Sequence, residues 1–141
     1  MSSMQPSETP TPDAPGVHPK RILLVEDDTA LAAVYVTRLQ AEGFDVRNVA
    51  NGEDALAAAI NYKPNLILLD VMMPKVSGFD VLDILRNTPE TANVKIVMLT
   101  ALSQPADKER AESLGVDDYL VKSQVVIADV MDRIKHHLGT V

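Results

Sequence analysis

The sequence predicts an α/β protein built on one doubly wound parallel sheet of five strands. Five short apolar runs alternate with five stretches of helical periodicity between residues 20 and 138. Such alternation builds a parallel sheet with helices on both faces, because the crossover connections are right-handed. The central run, residues 66–69, holds four apolar residues and lies between Pro64 and Pro74, which is typical of a strand buried on both faces. Polar residues follow four of the five runs, at the edge where open sheets of this class bind ligands.

Composition excludes several classes of function. A chain of 141 residues can form one domain with a substantial core. The absence of cysteine excludes disulfides, thiolate catalysis and cysteine-ligated metals. The net charge of −7 and the lack of tryptophan argue against direct binding of nucleic acid. No apolar run is long enough to cross a membrane and no signal peptide is visible, so we expect a cytoplasmic protein without membrane contact.

The first nineteen residues differ from the rest of the chain. Five of the nine prolines lie here among serine, threonine and glutamine, and little of the segment is apolar. Segments of this composition cannot bury enough surface to fold. We therefore expect a disordered, solvated tail at residues 1–19 and a single domain at residues 20–141.

The domain is predicted to begin with a strand and a helix. Residues 21–25 form a continuous apolar run that ends in the acidic residues 26–28. Helical spacing follows, with Asp28 or Thr29 as the N-cap. Gly43 is typical of a helix C-terminus and marks the end of this first helix.

The next segments predict an outer strand and a helix. Residues 44–49 alternate between apolar and polar, which suits a strand with one wetter face. Asn51 and Gly52 predict a turn, and the alanine-rich residues 53–62 predict the second helix.

After the central strand the alternation continues to the end of the domain. A loop at Ser77 and Gly78 leads into a third helix that reaches about Asn87. A fourth strand at residues 94–99 and a fifth at 117–121 follow. The helix between them is expected at residues 105–114, and a final helix with a one-sided apolar stripe at 127–138.

Five strands connected in this way are expected to take the flavodoxin-like order 2-1-3-4-5. The first and third strands are then neighbours, and their carboxyl ends flank the switch point. The first strand ends at Glu26 and Asp27, the third at Asp70, the fourth at Thr100 and the fifth at Lys122. These five side chains should therefore meet at one edge of the sheet.

This edge has the composition of a site for phosphoryl transfer. Clustered carboxylates repel one another unless a cation joins them, and hard oxygen ligands suit Mg²⁺ or Mn²⁺. Lys122 and Thr100 add a positive charge and a hydroxyl group. A carboxylate nucleophile at Asp70, a divalent ion, a lysine and a hydroxyl can together transfer a phosphoryl group to Asp70.

On these residues the sequence resembles the receiver domain of two-component response regulators, of the CheY-like, stand-alone type. The resemblance covers about residues 20 to 138. Its matching segments are residues 24–28, residues 68–74, Ser77–Gly78, Thr100–Ala101 and residues 118–122. Each motif is weak alone, but their joint order over five strands is specific.

The resemblance implies a role for each acidic residue. Asp70 would accept a phosphoryl group from a histidine kinase or a histidine phosphotransfer protein. Asp27 would bind Mg²⁺ directly, and Glu26 would bind it directly or through water. Asp70 would also contact the metal, and Met72 would offer its backbone carbonyl.

The resemblance also implies a switch. Lys122 would pair with the phosphoryl group, Thr100 would move to hydrogen-bond it, and Tyr119 would swing inward in step. The surface of the fourth helix, fifth strand and fifth helix would change and reach a downstream protein effector. The same face would serve a homodimer if one forms.

Two positions differ from what the resemblance leads one to expect. Receivers usually have a proline with a cis bond after the lysine, whereas Ser123 follows Lys122 here, so the isomer of this bond is open. Met72 and Leu102 occupy positions that can orient the hydrolytic water, and neither side chain bonds water strongly. We predict slow self-dephosphorylation, and no enzymatic activity beyond the protein's own phosphorylation and its loss.

Two other functions remain as alternatives. A pseudo-receiver would bind a partner without phosphorylation. A phosphatase with an aspartate nucleophile would need a second acid two residues later, where this chain has Met72. Outside the site, Asp117 and Asp118 are interpreted as residues of the turn into the fifth strand. His136 and His137 are interpreted as helix-end cations.

Overall fold

Five parallel strands form one sheet in the order β2-β1-β3-β4-β5, which confirms the predicted fold class. The computed structural model describes residues 18–139. The strands are β1 Arg21–Val25, β2 Asp45–Val49, β3 Leu66–Leu69, β4 Lys95–Thr100 and β5 Asp118–Val121. The helices are α1 Thr29–Ala41, α2 Gly52–Asn61, α3 Gly78–Arg86, α4 Pro105–Ser113 and α5 Ile127–Leu138. Of the predicted N-terminal tail, residues 1–17 lie outside the described part of the chain.

The helices cover the sheet from both sides. On one face α1 and α5 pack against side chains of β1, β3 and β4, and on the other face α2, α3 and α4 do so. The four residues of β3 are at most 1% exposed and point alternately into the two layers. This burial on both faces is why the central run is continuously apolar.

Strand register brings the carboxyl ends of β1, β3, β4 and β5 to one edge. Val25 is level with Leu69, and Leu69 is level with Met98. Thr100 is level with Val121. Residues that directly follow these strands are therefore neighbours in space.

Within the described residues, no helix is long and apolar enough to cross a membrane.

Side-chain caps set the starts of three helices. Asp28 accepts a hydrogen bond from the backbone N–H of Leu31 at 3.0 Å, which confirms it as the α1 N-cap. Asn51 caps α2, so this helix begins at Gly52. Ser77 caps α3. Each cap satisfies a backbone N–H that has no partner within its helix.

Arg86 links three loops at the amino-terminal edge of β4 and β5. Its guanidinium donates to the carbonyls of Gly115, Ala92 and Val94 and pairs with Asp117 at 2.7 Å. Asp117 also accepts the backbone N–H of Ile96 at 2.8 Å. Asp117 therefore does more than lie in a turn, because it fixes the register at which β5 begins.

Asp118 also has long-range partners. It contacts the imidazole of His137 at 2.9 Å and the guanidinium of Arg133 at 3.3 Å. His137 therefore ties the last turn of α5 to the start of β5, in addition to its place at a helix end.

The edge strand β2 has mostly polar side chains, as the alternating pattern predicts. Its Arg47 guanidinium lies over the ring of Tyr62, 4.4 Å from the ring centroid. The Tyr62 hydroxyl is buried and has no hydrogen-bond partner among the described residues. Burial, followed by the negative charge of Asp45, raises the pKa of Tyr62 to about 12.

We expect Tyr62 to make the fold sensitive to alkali. Because the pKa rises from 10.0 to about 12 on folding, the unfolded chain releases this proton first and stability falls between these two pH values. Tyr62→Phe should therefore lose less stability across this window, as urea denaturation at stepped pH will measure. Tyr35 and Tyr119 also have raised pKa values, but both proteins contain them. An equal loss in both proteins would contradict the assignment.

Candidate functional site

Three carboxylates meet at the carboxyl edge of the sheet, where β1 and β3 end. Glu26, Asp27 and Asp70 each offer one oxygen, and these oxygens lie within 4.8 Å of one another. Glu26 and Asp70 are each 5% exposed, whereas Asp27 is exposed. The predicted crowding of these three side chains is present in the structure.

Backbone hydrogen bonds hold two of these carboxylates in place. The side chain of Glu26 accepts the N–H of Asp28 at 3.1 Å. The side chain of Asp70 accepts the N–H of Met72 at 3.2 Å. The N–H of Asp70 itself extends the sheet by donating to the carbonyl of Val25 at 3.2 Å. Both side chains are thus fixed by the turns that follow their strands.

Lys122 bridges the two buried carboxylates. Its Nζ donates to Glu26 Oε1 and to Asp70 Oδ2, each at 3.0 Å. Burial alone would lower the pKa of Lys122, but the hydrogen bonds to Asp70 and Glu26 outweigh burial and raise it. The lysine therefore stays cationic at neutral pH, and one positive charge faces three acidic side chains.

Glu26 responds to the same surroundings. Burial raises its pKa, and the hydrogen bonds from the Asp28 N–H and from Lys122 only partly offset this. An acidic cluster with a single lysine retains a need for further positive charge. Its carboxylate oxygens suit Mg²⁺ or Mn²⁺, which prefer hard oxygen ligands.

The Lys122–Ser123 bond, whose isomer the sequence leaves open, is trans, since residues 18–139 contain no cis peptide. A short 3₁₀ turn, Lys122–Gln124, begins at this bond and was not predicted. Lys122 nevertheless reaches Asp70 at 3.0 Å. The substitution of serine for the usual proline therefore leaves the lysine at the acidic cluster.

Thr100 and Tyr119 meet at Leu102 rather than at Asp70. Thr100 is fully buried at the end of β4, and its Oγ1 accepts the N–H of Leu102 at 3.3 Å. Tyr119 is 8% exposed, and its hydroxyl donates to the carbonyl of Leu102 at 2.9 Å. One residue of the loop between β4 and α4 thus contacts both side chains that were predicted to switch.

Met72 lies at the rim of the cluster with its side chain 57% exposed. Its N–H is bonded to Asp70, which places the Met72 peptide beside the carboxylates. Leu102 is half-buried and packs against the core under α3 and α4. Both of the residues predicted to leave the hydrolytic water without a strong partner are therefore close to the site.

Gly78 is a site residue that sequence reasoning left without a role. A Cβ at this position would lie 2.4 Å from the carbonyl oxygen of Asp70 and 2.6 Å from the Cα of Val71. The Gly78 N–H donates to the Val71 carbonyl at 2.9 Å. Only a residue without a side chain lets α3 begin this close to the acidic loop.

The arrangement can be compared with known proteins. A family profile described as the response regulator receiver domain matches residues 22–135. The chain belongs to this family. The acidic cluster, Lys122 and the strand order of this receiver agree with the resemblance drawn from its sequence.

Curated relatives of this receiver are longer proteins. It is 42% identical over 102 residues to the DNA-binding dual master transcriptional regulator RpaA of Synechocystis, covering 72% of this chain and 42% of the relative. It is 34% identical over 137 residues to the gliding motility regulatory protein of Myxococcus xanthus, covering 95% and 18%. The chain spans less than half of each relative, so the stand-alone type stays a prediction.

Solved structures of receivers are similar in fold. A CheY-like receiver domain protein from Methanospirillum hungatei has a TM-score of 0.80 and 30% identity, covering 86% of this chain and 94% of the other. The receiver domain of the sensor histidine kinase PA1611 from Pseudomonas aeruginosa has a TM-score of 0.78 and 29% identity, covering 86% and 98%. The latter structure has a magnesium ion coordinated in its active-site cleft.

Proposed function

We propose that this receiver is a phosphoacceptor module of a two-component or phosphorelay system, and that Asp70 takes the phosphoryl group. The observation that carries the proposal is the contact of Lys122 with Asp70 and Glu26 inside a cluster of three acids. The donor would be a histidine kinase or a histidine phosphotransfer protein. A cytoplasmic location agrees with such a donor and stays a prediction.

In the proposed reaction a carboxylate oxygen of Asp70 attacks the phosphorus of a phosphohistidine. The new O–P bond gives an acyl phosphate, the P–N bond breaks, and the imidazole keeps the electron pair and takes up a proton. Lys122 stabilises the charge on the phosphoryl oxygens. Glu26, Asp27, Asp70 and the Met72 carbonyl would hold Mg²⁺, which supplies further neutralisation of charge when bound.

The proposal is tested by phosphorylation with acetyl phosphate and Mg²⁺, followed by mass spectrometry of the intact protein. Wild-type protein should gain one phosphoryl group, and Asp70→Asn should gain none, because an amide cannot form the acyl phosphate. Asp80→Asn is the matched control, since Asp80 is an exposed acid in the first turn of α3. Labelling of Asp70→Asn at the wild-type rate would overturn the proposal.

The phosphorylated state is proposed to be long-lived. Met72 and Leu102 offer no strong hydrogen bond to an attacking water, so we expect Met72→Asn with Leu102→Glu to speed loss of phosphate roughly 10-fold to 100-fold, as a new general base would. The decay of the phosphorylated mass after removal of acetyl phosphate measures this rate. Ile84→Asn with Ile60→Glu changes two exposed apolar residues on α3 and α2 and serves as the control. Fast loss in wild type, unchanged by the double substitution, would contradict the prediction.

The output is proposed to pass through α4, β5 and α5 to a protein effector. Tyr119 in β5 is tied to Leu102, so a movement of Thr100 toward the phosphoryl group would change the bonds at one shared residue. A homodimer through the same face is a second outlet. Direct contact with nucleic acid is not proposed for this chain, although RpaA, which is longer, is named as DNA-binding.

A further inference from the structure

The helix α1 has apolar residues on its outer face as well as on its inner one. Arg38 is its single charged residue among thirteen. Ala32, Tyr35 and Leu39 face the core, whereas Val34 on the outer side is 54% exposed. By contrast, five of the nine residues of α4 are charged. A helix that is apolar all round is expected to be covered on both sides.

The exposed side of α1 forms a groove with the start of α5. Its volume is about 550 Å³, and its lining is dominated by small apolar side chains. The lining residues are Ala33, Val34, Thr37, Arg38, Ala41 and Ile127. We name this the α1 groove.

We propose that residues 1–17 of this chain occupy the α1 groove. The point at which this segment joins the fold favours it. The Lys20 carbonyl accepts the N–H of Asp45 at 2.9 Å, and Phe44 donates to Leu39 near the end of α1. The chain therefore enters the fold beside the end of α1 where Ala41 lines the groove.

Length is sufficient for this arrangement. The eight residues from Ala33 to Ala41 rise about 12 Å along the helix. Seventeen residues in the extended form that proline favours span about 50 Å. Residues 1–17 can therefore turn back from Lys20 and follow the groove to Ile127 at its other end.

Charge and composition also match. Arg38 and Lys135 both contact Glu42 at the lower end of the groove, so basic side chains outnumber acidic ones in that corner. Residues 1–17 contain two acids, Glu8 and Asp13, and no lysine or arginine. The rest of the protein is strongly acidic and would repel such a segment, since the net charge is −7.

The test uses the full chain, which has no native cysteine. A nitroxide attached at Thr11→Cys will broaden the amide signals of residues close to it. We expect selective loss of intensity for residues 33–41 and Ile127, and none for Ile84, which is 45% exposed on α3 across the sheet. Val34→Asp should abolish this pattern, whereas the matched change Ile84→Asp should preserve it.

Two outcomes would overturn the proposal. Broadening that depends only on distance from Lys20, and is unchanged by Val34→Asp, would show that the segment does not enter the groove. A second copy of the chain in the groove would appear as broadening only when spin-labelled ¹⁴N protein is mixed with unlabelled ¹⁵N protein. Both Asp variants should keep the remaining amide spectrum, because each replaces an exposed side chain. None of these readouts depends on phosphorylation.

Discussion

Lys122→Ala is expected to slow phosphorylation of Asp70 by acetyl phosphate roughly 100-fold to 1,000-fold, the loss typical of one preorganised donor. Among residues 18–139, Lys122 is the one basic side chain that forms ion pairs with Glu26 and Asp70. Without it, the phosphoryl group approaches carboxylates whose charge only a metal offsets. The initial rate of the mass increase at fixed Mg²⁺ measures this effect.

The same substitution is expected to tighten Mg²⁺ binding. The lysine competes with a metal for the oxygens of Glu26 and Asp70, which it holds at 3.0 Å. Removing a positive charge from this partly buried cluster favours the binding of a cation. Lys122→Ala should thus lower the dissociation constant for Mg²⁺ in calorimetry while it lowers the phosphorylation rate.

These opposite directions separate a chemical role from a structural one. Lys75→Ala is the matched control, because Lys75 is exposed and only loosely paired with Glu53 at 3.6 Å. It should change neither quantity measurably. A parallel loss of Mg²⁺ affinity and of phosphorylation in Lys122→Ala would show that the lysine acts by holding the loops in place.

The sequence predicts the sheet and its acidic cluster because both follow from local patterns. The apolar runs define the strands, and a parallel sheet must bring their carboxyl ends to one edge. Glu26, Asp70 and Lys122 directly follow such runs, so their meeting needs only the strand order. The start of α1 is likewise local, since Asp28 binds a backbone N–H three residues later.

The remaining features depend on contacts that leave no local pattern. The partners of Arg86 include Gly115 and Asp117, about thirty residues away, and no periodicity reveals them. The joint contact of Thr100 and Tyr119 with Leu102 depends on the path of one loop. The need for glycine at position 78 arises because α3 begins against the Asp70 backbone, a contact that only the folded chain shows.

Gly78→Ala is expected to impair both folding and phosphorylation. The new Cβ would lie 2.4 Å from the Asp70 carbonyl oxygen and 2.6 Å from the Val71 Cα, and both of these are backbone atoms that cannot rotate away. Overpacking of this kind typically costs about 1–3 kcal/mol of folding free energy. Relief of the clash must displace the Asp70 peptide, and a misplacement of about 1 Å can cost roughly 100-fold in rate.

Gly52→Ala provides the matched control, because Gly52 also begins a helix and a Cβ there would meet Val76 Cβ at 2.7 Å and Val81 Cγ2 at 2.9 Å. Both variants should unfold at lower urea concentration than wild type. Only Gly78→Ala should lose phosphorylation under conditions where both are folded, because its clash falls on the backbone of the acceptor. Phosphorylation of folded Gly78→Ala at the wild-type rate would show that α3 moves instead and that the Asp70 backbone keeps its position.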